Sequence, residues 1–313
     1  MNDLVTSWLL EEDQPASRYY TLVDLLGRSE NDAEVKQAYA QIPKRGWAHD
    51  ILKKQHPKGF WESEKSLYRP KYTSTNWRAI VLSDLGLTAK DPRIKRTADL
   101  IFKHWLSVPS SENVFNEEVC IVGNTARTLT RFGYGNDFRV RKLFDRLVED
   151  QKEDGGWHCF QSTHGTLDGW EGMAAFAALP KQMRTRSMKS AIERGAEFYL
   201  ERRLFKEGSR YAPWFRFHYP NHYYYDMLVG LDIMTKLGYG DDERLSDALV
   251  FLKKKRLEDG RWLLDRIHPD PTSYPWGPNN LKQKTISFAL EEASKPSKWI
   301  TLTALRVLNR VEK

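Results

Sequence analysis

Phe132-Gly133-Tyr134-Gly135-Asn136-Asp137, with Arg139 behind it, leads into Glu153-Asp154-Gly155-Gly156-Trp157, and the same run returns 105 residues later. There it reads Leu237-Gly238-Tyr239-Gly240-Asp241-Asp242 with Arg244, then Glu258-Asp259-Gly260-Arg261-Trp262, without a gap at either end. A further ending, Gln55-His56-Pro57-Lys58-Gly59-Phe60-Trp61, keeps the Gln-x3-Gly-x-Trp spacing of Gln151 to Trp157, and Arg256 stands at the Gln position of the third ending. Shorter echoes of the turn, Leu85-Gly86-Leu87 before Asp91-Pro92-Arg93 and Leu26-Gly27 before Asn31-Asp32, set a repeat unit of about 50 residues.

Each unit reads as a helix pair. An apolar helix ends at Gly, where left-handed backbone costs least, and Asn or Asp then caps the next helix. That second helix is amphipathic: Val140, Leu143, Phe144 and Leu147 share one face, while Arg139, Arg141, Lys142, Asp145 and Arg146 fill the rest. The helices before the turns carry fewer charges and suit an inner layer, at 19–26, 77–85, 120–132, 170–179, 223–237 and 299–308. Outer candidates are 32–55, interrupted near Pro43, then 93–106, 139–151, 187–204 and 243–256, one short of the inner set. The segment 2–10 supplies the sixth if it packs beside 299–308, and the stack then closes with no bare apolar end. The expectation is an all-α fold, an α/α toroid of six inner and six outer helices, as one domain over residues 1–313. Residues 162–167 and 267–280 read as loops.

The composition agrees with a globular chain, since a hydrophobic share of 40% with 12% aromatics supplies a core. No apolar run approaches the roughly 20 residues that a bilayer requires, and residues 1–10 lack the pattern of a secretion signal, so a cytoplasmic setting is expected. Cys120 and Cys159 alone do not make a disulfide framework and read as reduced. The net charge of +7 suits an anionic ligand, nucleic acid or mere solubility.

The Gln-x3-Gly-x-Trp endings, with inner helices that begin on aromatic or polar residues, resemble the repeats of squalene and oxidosqualene cyclases and of protein prenyltransferase β subunits. The resemblance spans essentially the whole chain. It implies a terpenoid cyclase/prenyltransferase-like toroid whose central cavity holds an apolar, prenyl-type molecule. The cyclases of that group use an Asp-x-Asp-Asp acid, kept protonated in an apolar cavity; the motif is absent here, and Asp241-Asp242 falls at an outer helix cap. The prenyltransferases hold zinc with Asp, Cys and His at the starts of two inner helices. Placed on that pattern, this chain offers Asp168, Trp170 and Tyr223, with His222 one residue away. No cofactor is called for; Cys120, His158, Cys159 and His164 offer an independent metal site as an alternative, since thiolate and neutral His suit zinc, but their spacing matches no tight motif and they read as buried thiols and loop histidines.

Site candidates gather where inner helices start. Asp168 and Glu171, three apart, share one side of the fourth inner helix and suit paired acid–base work, although the same spacing makes a capping box. The run from Trp214 to Asp226 packs seven aromatics around Arg216, His218 and His222, with Trp214, Tyr223 and Tyr225 as candidate ligand contacts and Asp226 as a third acid or a helix cap. Asn124 and Arg127 lie on an otherwise apolar helix, so Arg127 must meet Glu117, Glu118, Asp168 or a ligand anion. Trp170 completes the ligand set. Three readings compete: a cavity enzyme or binder for a small apolar or anionic molecule, a scaffold that binds a partner or nucleic acid on basic outer segments 139–146 and 253–256, and a carbohydrate-active α/α barrel.

Overall fold

The computed structural model describes residues 3–107, 114, 118–208, 210–267 and 288–312, so Glu117 and the expected loop at 268–280 lie outside the described residues. In chain order the helices are α1 (Asp3–Leu9), α2 (Pro15–Tyr20), α3 (Ala33–Gln41), α4 (Gly46–Leu52), α5 (Thr75–Asp84), α6 (Pro92–Trp105) and α7 (Val119–Leu129). There follow α8 (Phe138–Glu149), α9 (Glu171–Ala178), α10 (Arg186–Glu201), α11 (Met227–Leu237), α12 (Ser246–Lys254) and α13 (Lys298–Val311). Single π turns, Thr21–Leu25 and Thr130–Tyr134, extend α2 and α7. The described residues hold no strand.

The apolar helices α2, α5, α7, α9, α11 and α13 form a ring. α5 packs on α7, α7 on α9, α9 on α11, α11 on α13, and α13 on α2. Gly86, just past α5, abuts the Tyr20 ring at the end of α2 and completes the circle. The outer layer consists of α1, the α3–α4 pair, α6, α8, α10 and α12. The amphipathic outer helices bury the predicted face: Val140, Leu143, Phe144 and Leu147 of α8 are all inaccessible or nearly so.

The Gly-Trp endings have a common geometry. The indole N–H of Trp61, Trp157 and Trp262 donates to the carbonyl ten residues earlier, Ile51, Leu147 and Leu252, at 2.8 to 3.0 Å, and so ties the loop to the end of the outer helix it leaves. The residue six before each Trp donates to the intervening Gly carbonyl: Gln55 to Gly59, Gln151 to Gly155 and Arg256 to Gly260. A side-chain N–H is all that position needs, which explains the Gln-to-Arg exchange. Each Gly has positive φ, and a Cβ would strike the next outer helix, at Arg96 of α6 for Gly59 and at Arg194 of α10 for Gly155. Gly260 faces Val5 of α1 in the same way. α1 also contacts α13, and just beyond α1 Glu11 and Asp13 hold Lys298 at 2.8 and 2.6 Å. The turns repeat as well: Asp91, Asp137 and Asp242 each accept from the backbone N–H two residues on and pair with the Arg at that position.

Candidate functional site

Every inner helix contributes to the wall of a cavity of about 320 Å³ inside the ring. Most charges on this wall belong to the C-terminal halves of the helices, opposite to the end that the sequence singles out. There Arg127, Arg131, Lys236, Arg306 and Arg310 face Asp24, Asp84 and Asp232, and with Asp226 at the other end the wall carries five cations and four acids. Asp84 serves both Arg127, at 3.6 Å, and Arg131; Asp232 serves both Lys236, at 2.6 Å, and Arg310, at 2.9 Å; Asp24 holds Arg306 at 2.5 Å. Cations at helix C-termini are favoured by the backbone dipole, so this end tolerates the surplus. Side-chain exposure rises from 6% at Arg127 to 31% at Lys236, which puts the mouth of the cavity at the C-terminal end.

Burial shifts the titration of these groups. Burial pushes the Lys236 ammonium down to about 8, with Asp232 opposing part of that fall. For Asp232, burial acts upward, but Lys236 and Arg310 outweigh it and hold the carboxyl well below its usual range. Burial also lowers Arg127, against the pull of Asp84.

Aromatic faces line the same space. Tyr219 stacks on Trp299 with centroids 4.7 Å apart, the Arg127 guanidinium lies 5.1 Å over Trp170, and that of Arg306 lies 4.2 Å over Tyr20. Four buried donors on this wall, Arg127 Nη2, Trp170 Nε1, Tyr219 Oη and Arg306 Nε, meet no hydrogen-bond partner among the described residues. An unmet buried donor costs about 1–3 kcal/mol, so four on one wall form an arrangement prepared for acceptors.

His218 and Asp226 also border the cavity. His218 Nδ1 lies 2.8 Å from Asp226 Oδ2, the His218 backbone N–H donates to the same oxygen, and Asp226 Oδ1 accepts from the Val229 N–H at the start of α11. Asp226 is therefore a helix cap and the orienting partner of a histidine at once. With Nδ1 committed to Asp226, Nε2 is the ring atom through which His218 would exchange a proton.

The other candidates are dispersed. Of the three acids, Asp226 alone borders the cavity. Asp168 accepts from the Trp214 indole N–H at 3.1 Å, and its carboxyl is pushed up by burial, which that hydrogen bond partly offsets. The capping-box alternative fails: Thr166 caps this turn, α9 begins after Trp170, and the fully buried Glu171 carboxylate meets no hydrogen-bond partner among the described residues. Burial raises Glu171 well above the usual carboxylate range, followed in effect by Cys159. Arg127 meets Asp84 and Asn124 rather than Glu118 or Asp168, and Asn124 in turn donates to the His222 carbonyl.

Most of the aromatic run packs on neighbouring elements instead of lining the cavity. His222 and Tyr223 pack on Tyr72 and Trp77, Tyr223 Oη lies 2.8 Å from Tyr72 Oη, and Tyr225 Oη donates to the Leu204 carbonyl. Arg216 is exposed. The zinc set of the prenyltransferases does not fit here, because Asp168 and Tyr223 are engaged as stated and Trp170 offers no ligand atom. Asp242 caps and pairs with Arg244 at an outer helix, which excludes it from cavity acid chemistry.

Sequence reasoning missed Asp24, Asp84, Arg131, Asp232, Lys236, Arg306 and Arg310. The signal was available: each is a charge within an inner helix segment that is mainly apolar, the argument already made for Arg127.

No helix among the described residues is long and apolar enough to cross a membrane. Neither a family model nor a curated protein matches the sequence. Among solved structures, the chain is similar to the type II terpene cyclase MstE from Scytonema without ligand, at 17% identity and TM-score 0.47, over 96% of this chain and 87% of that one. It is also similar to a variant of that cyclase in complex with merosterolic acid A, at 17% identity and TM-score 0.46 over 96% and 86%, and to another with geranylgeranyl dihydroxybenzoate, at 17% and 0.44 over 96% and 87%. At that identity the likeness is one of helical architecture.

Proposed function

We propose that the cavity binds a small amphiphilic anion, a short apolar body of prenyl type carrying a phosphate- or carboxylate-like head. The four unmet donors on a wall with surplus cations carry this reading. An anion at the C-terminal end would accept from Arg306 and draw on Arg131, Lys236 and Arg310, while the apolar body lies along Trp170, Tyr219, Leu228, Ile233 and Trp299. A volume of about 320 Å³ limits that body to a short chain. His218 would exchange a proton with the bound molecule and Asp226 would position it; Asp168 and Glu171 stand behind the wall and take no part.

Calorimetric titration with geranyl diphosphate, and with geraniol and inorganic diphosphate as its halves, tests the proposal. The amphiphile should bind at least about tenfold more tightly than either half, and Arg306→Met should weaken it by about 2 kcal/mol, the scale of a charge-assisted hydrogen bond. Equal binding of geraniol, or no saturable binding of any anion, would overturn the reading. If the bound molecule is converted, His218→Gln should abolish product by mass spectrometry while leaving affinity within about threefold.

A further inference from the structure

Three chain segments bring sulfur and oxygen ligands together outside the cavity. Cys120 is buried in the first turn of α7, Cys159 is half-buried in the loop after Trp157, and Glu118 precedes α7. A Glu118 carboxylate oxygen and the two Sγ atoms all lie within 4.8 Å of one another, with Cys120 Sγ 3.7 Å from Glu118 Oε2. The side chain of Glu171, at the start of α9, is 0% exposed, and neither oxygen meets a hydrogen-bond partner among the described residues. It stands outside that group and packs against Gly123, one turn along α7 from Cys120. His158 and His164 are not members of the cluster: His158 Nδ1 accepts from the Phe160 N–H, and His164 bonds to Thr163 within the exposed loop.

Two thiols with carboxyl groups, in a space a few ångströms across, suit a thiophilic divalent cation better than a hard one. Zinc takes sulfur at about 2.3 Å and carboxylate oxygen at about 2.0–2.2 Å, so the two sulfurs of a tetrahedral site stand roughly 3.8 Å apart. The two sulfurs lie within 4.8 Å of one another, so that separation requires a change of at most about 1 Å. Both thiols would lose their protons to solvent, and Glu171 would supply further negative charge from below.

We propose that Cys120, Cys159 and Glu118 bind one zinc-class cation, with Glu171 as the fourth group, ligating it or accepting a hydrogen bond from water on it. The site stands apart from the cavity, and its proposal does not rest on the anion reading. Its effect would be to staple the loop after the central Gly-Trp ending to the start of α7.

The full chain, purified under reducing conditions and stripped with chelator, would be titrated with cobalt(II) and then zinc(II). Uptake of one cobalt should give a thiolate-to-metal charge-transfer band with tetrahedral ligand-field bands, and one zinc should displace it. Cys120→Ser and Cys159→Ser should each lose most of the charge-transfer intensity, and Glu171→Gln should weaken zinc about 10–100-fold. If a serine variant fails to fold, the wild-type spectrum and Glu118→Gln decide the matter. A reduced wild-type chain that binds cobalt without a charge-transfer band, or not at all, would refute the site. So would a Cys120–Cys159 disulfide found quantitatively by mass spectrometry in the freshly isolated chain.

Discussion

Trp157 shows how a single side chain holds a repeat together. Its ring is fully buried, its N–H reaches the Leu147 carbonyl at 2.8 Å, and it packs against the Phe176 ring. A Cβ on Gly172 or Gly195 would press into the indole, and one on Gly169 into the Trp157 backbone. Glycine at these places reflects the thickness of an indole wedged between α9 and α10, since none of the three has positive φ. Trp157→Ala should cost about 3–5 kcal/mol by the loss of a buried aromatic. Gly195→Ala, which adds one methyl against both Met173 and the ring, should cost about 1–3 kcal/mol by overpacking. Urea denaturation of the two variants measures both. A Gly195→Ala chain as stable as the wild type would mean that the indole has room to shift, and the tight-wedge account would fail.

At the scale of elements, the ring depends on α1. Val5 and Leu9 are buried, Gly260 abuts Val5, and Lys298 is clasped by Glu11 and Asp13 beyond the helix. Leu9→Ala should therefore behave as a core truncation, costing about 2–5 kcal/mol in denaturant unfolding, although a seven-residue helix has little stability of its own. A cost below about 0.5 kcal/mol would mean that the toroid does not need its first helix. The repeat made much of this legible in advance. Asp91, Asp137 and Asp242 announced outer helices, and the Gly-Trp endings announced where those helices stop, because each signal acts through bonds to residues a few positions away. Contacts spanning the ring were less legible. The approach of Gly86 to Tyr20 and the pairing of Arg127 with Asp84 join residues that no local pattern connects.

Across the whole molecule, the same distinction separates the predicted site from the observed one. The run from Trp214 to Asp226 drew attention because its chemistry is dense in sequence, yet His222 and Tyr223 pack around Trp77 and most of the other aromatics pack on neighbouring elements, leaving His218, Tyr219, Asn221 and Asp226 on the cavity. The opposite end draws on Asp24, Asp84, Arg131, Asp232, Lys236, Arg306 and Arg310, contributed by several inner helices far apart in sequence, and only closure of the ring gathers them. Lys236 makes that gathering measurable. Burial brings its ammonium down to about 8 despite Asp232, so it is largely charged at pH 7 and largely neutral at pH 9. Its attraction for an anion is then present below that value and lost as pH rises through it. Octyl sulfate is a suitable probe, because its head group does not titrate in this range and any change belongs to the protein. Its affinity should fall about three- to tenfold between pH 7 and pH 9, the size expected for one charge-assisted contact partly open to solvent. Lys236→Met should bind at pH 7 about as the wild type does at pH 9, and should show little further change with pH. If the fall persists undiminished in that variant, another group controls the anion, and the ring of charges does not work through Lys236.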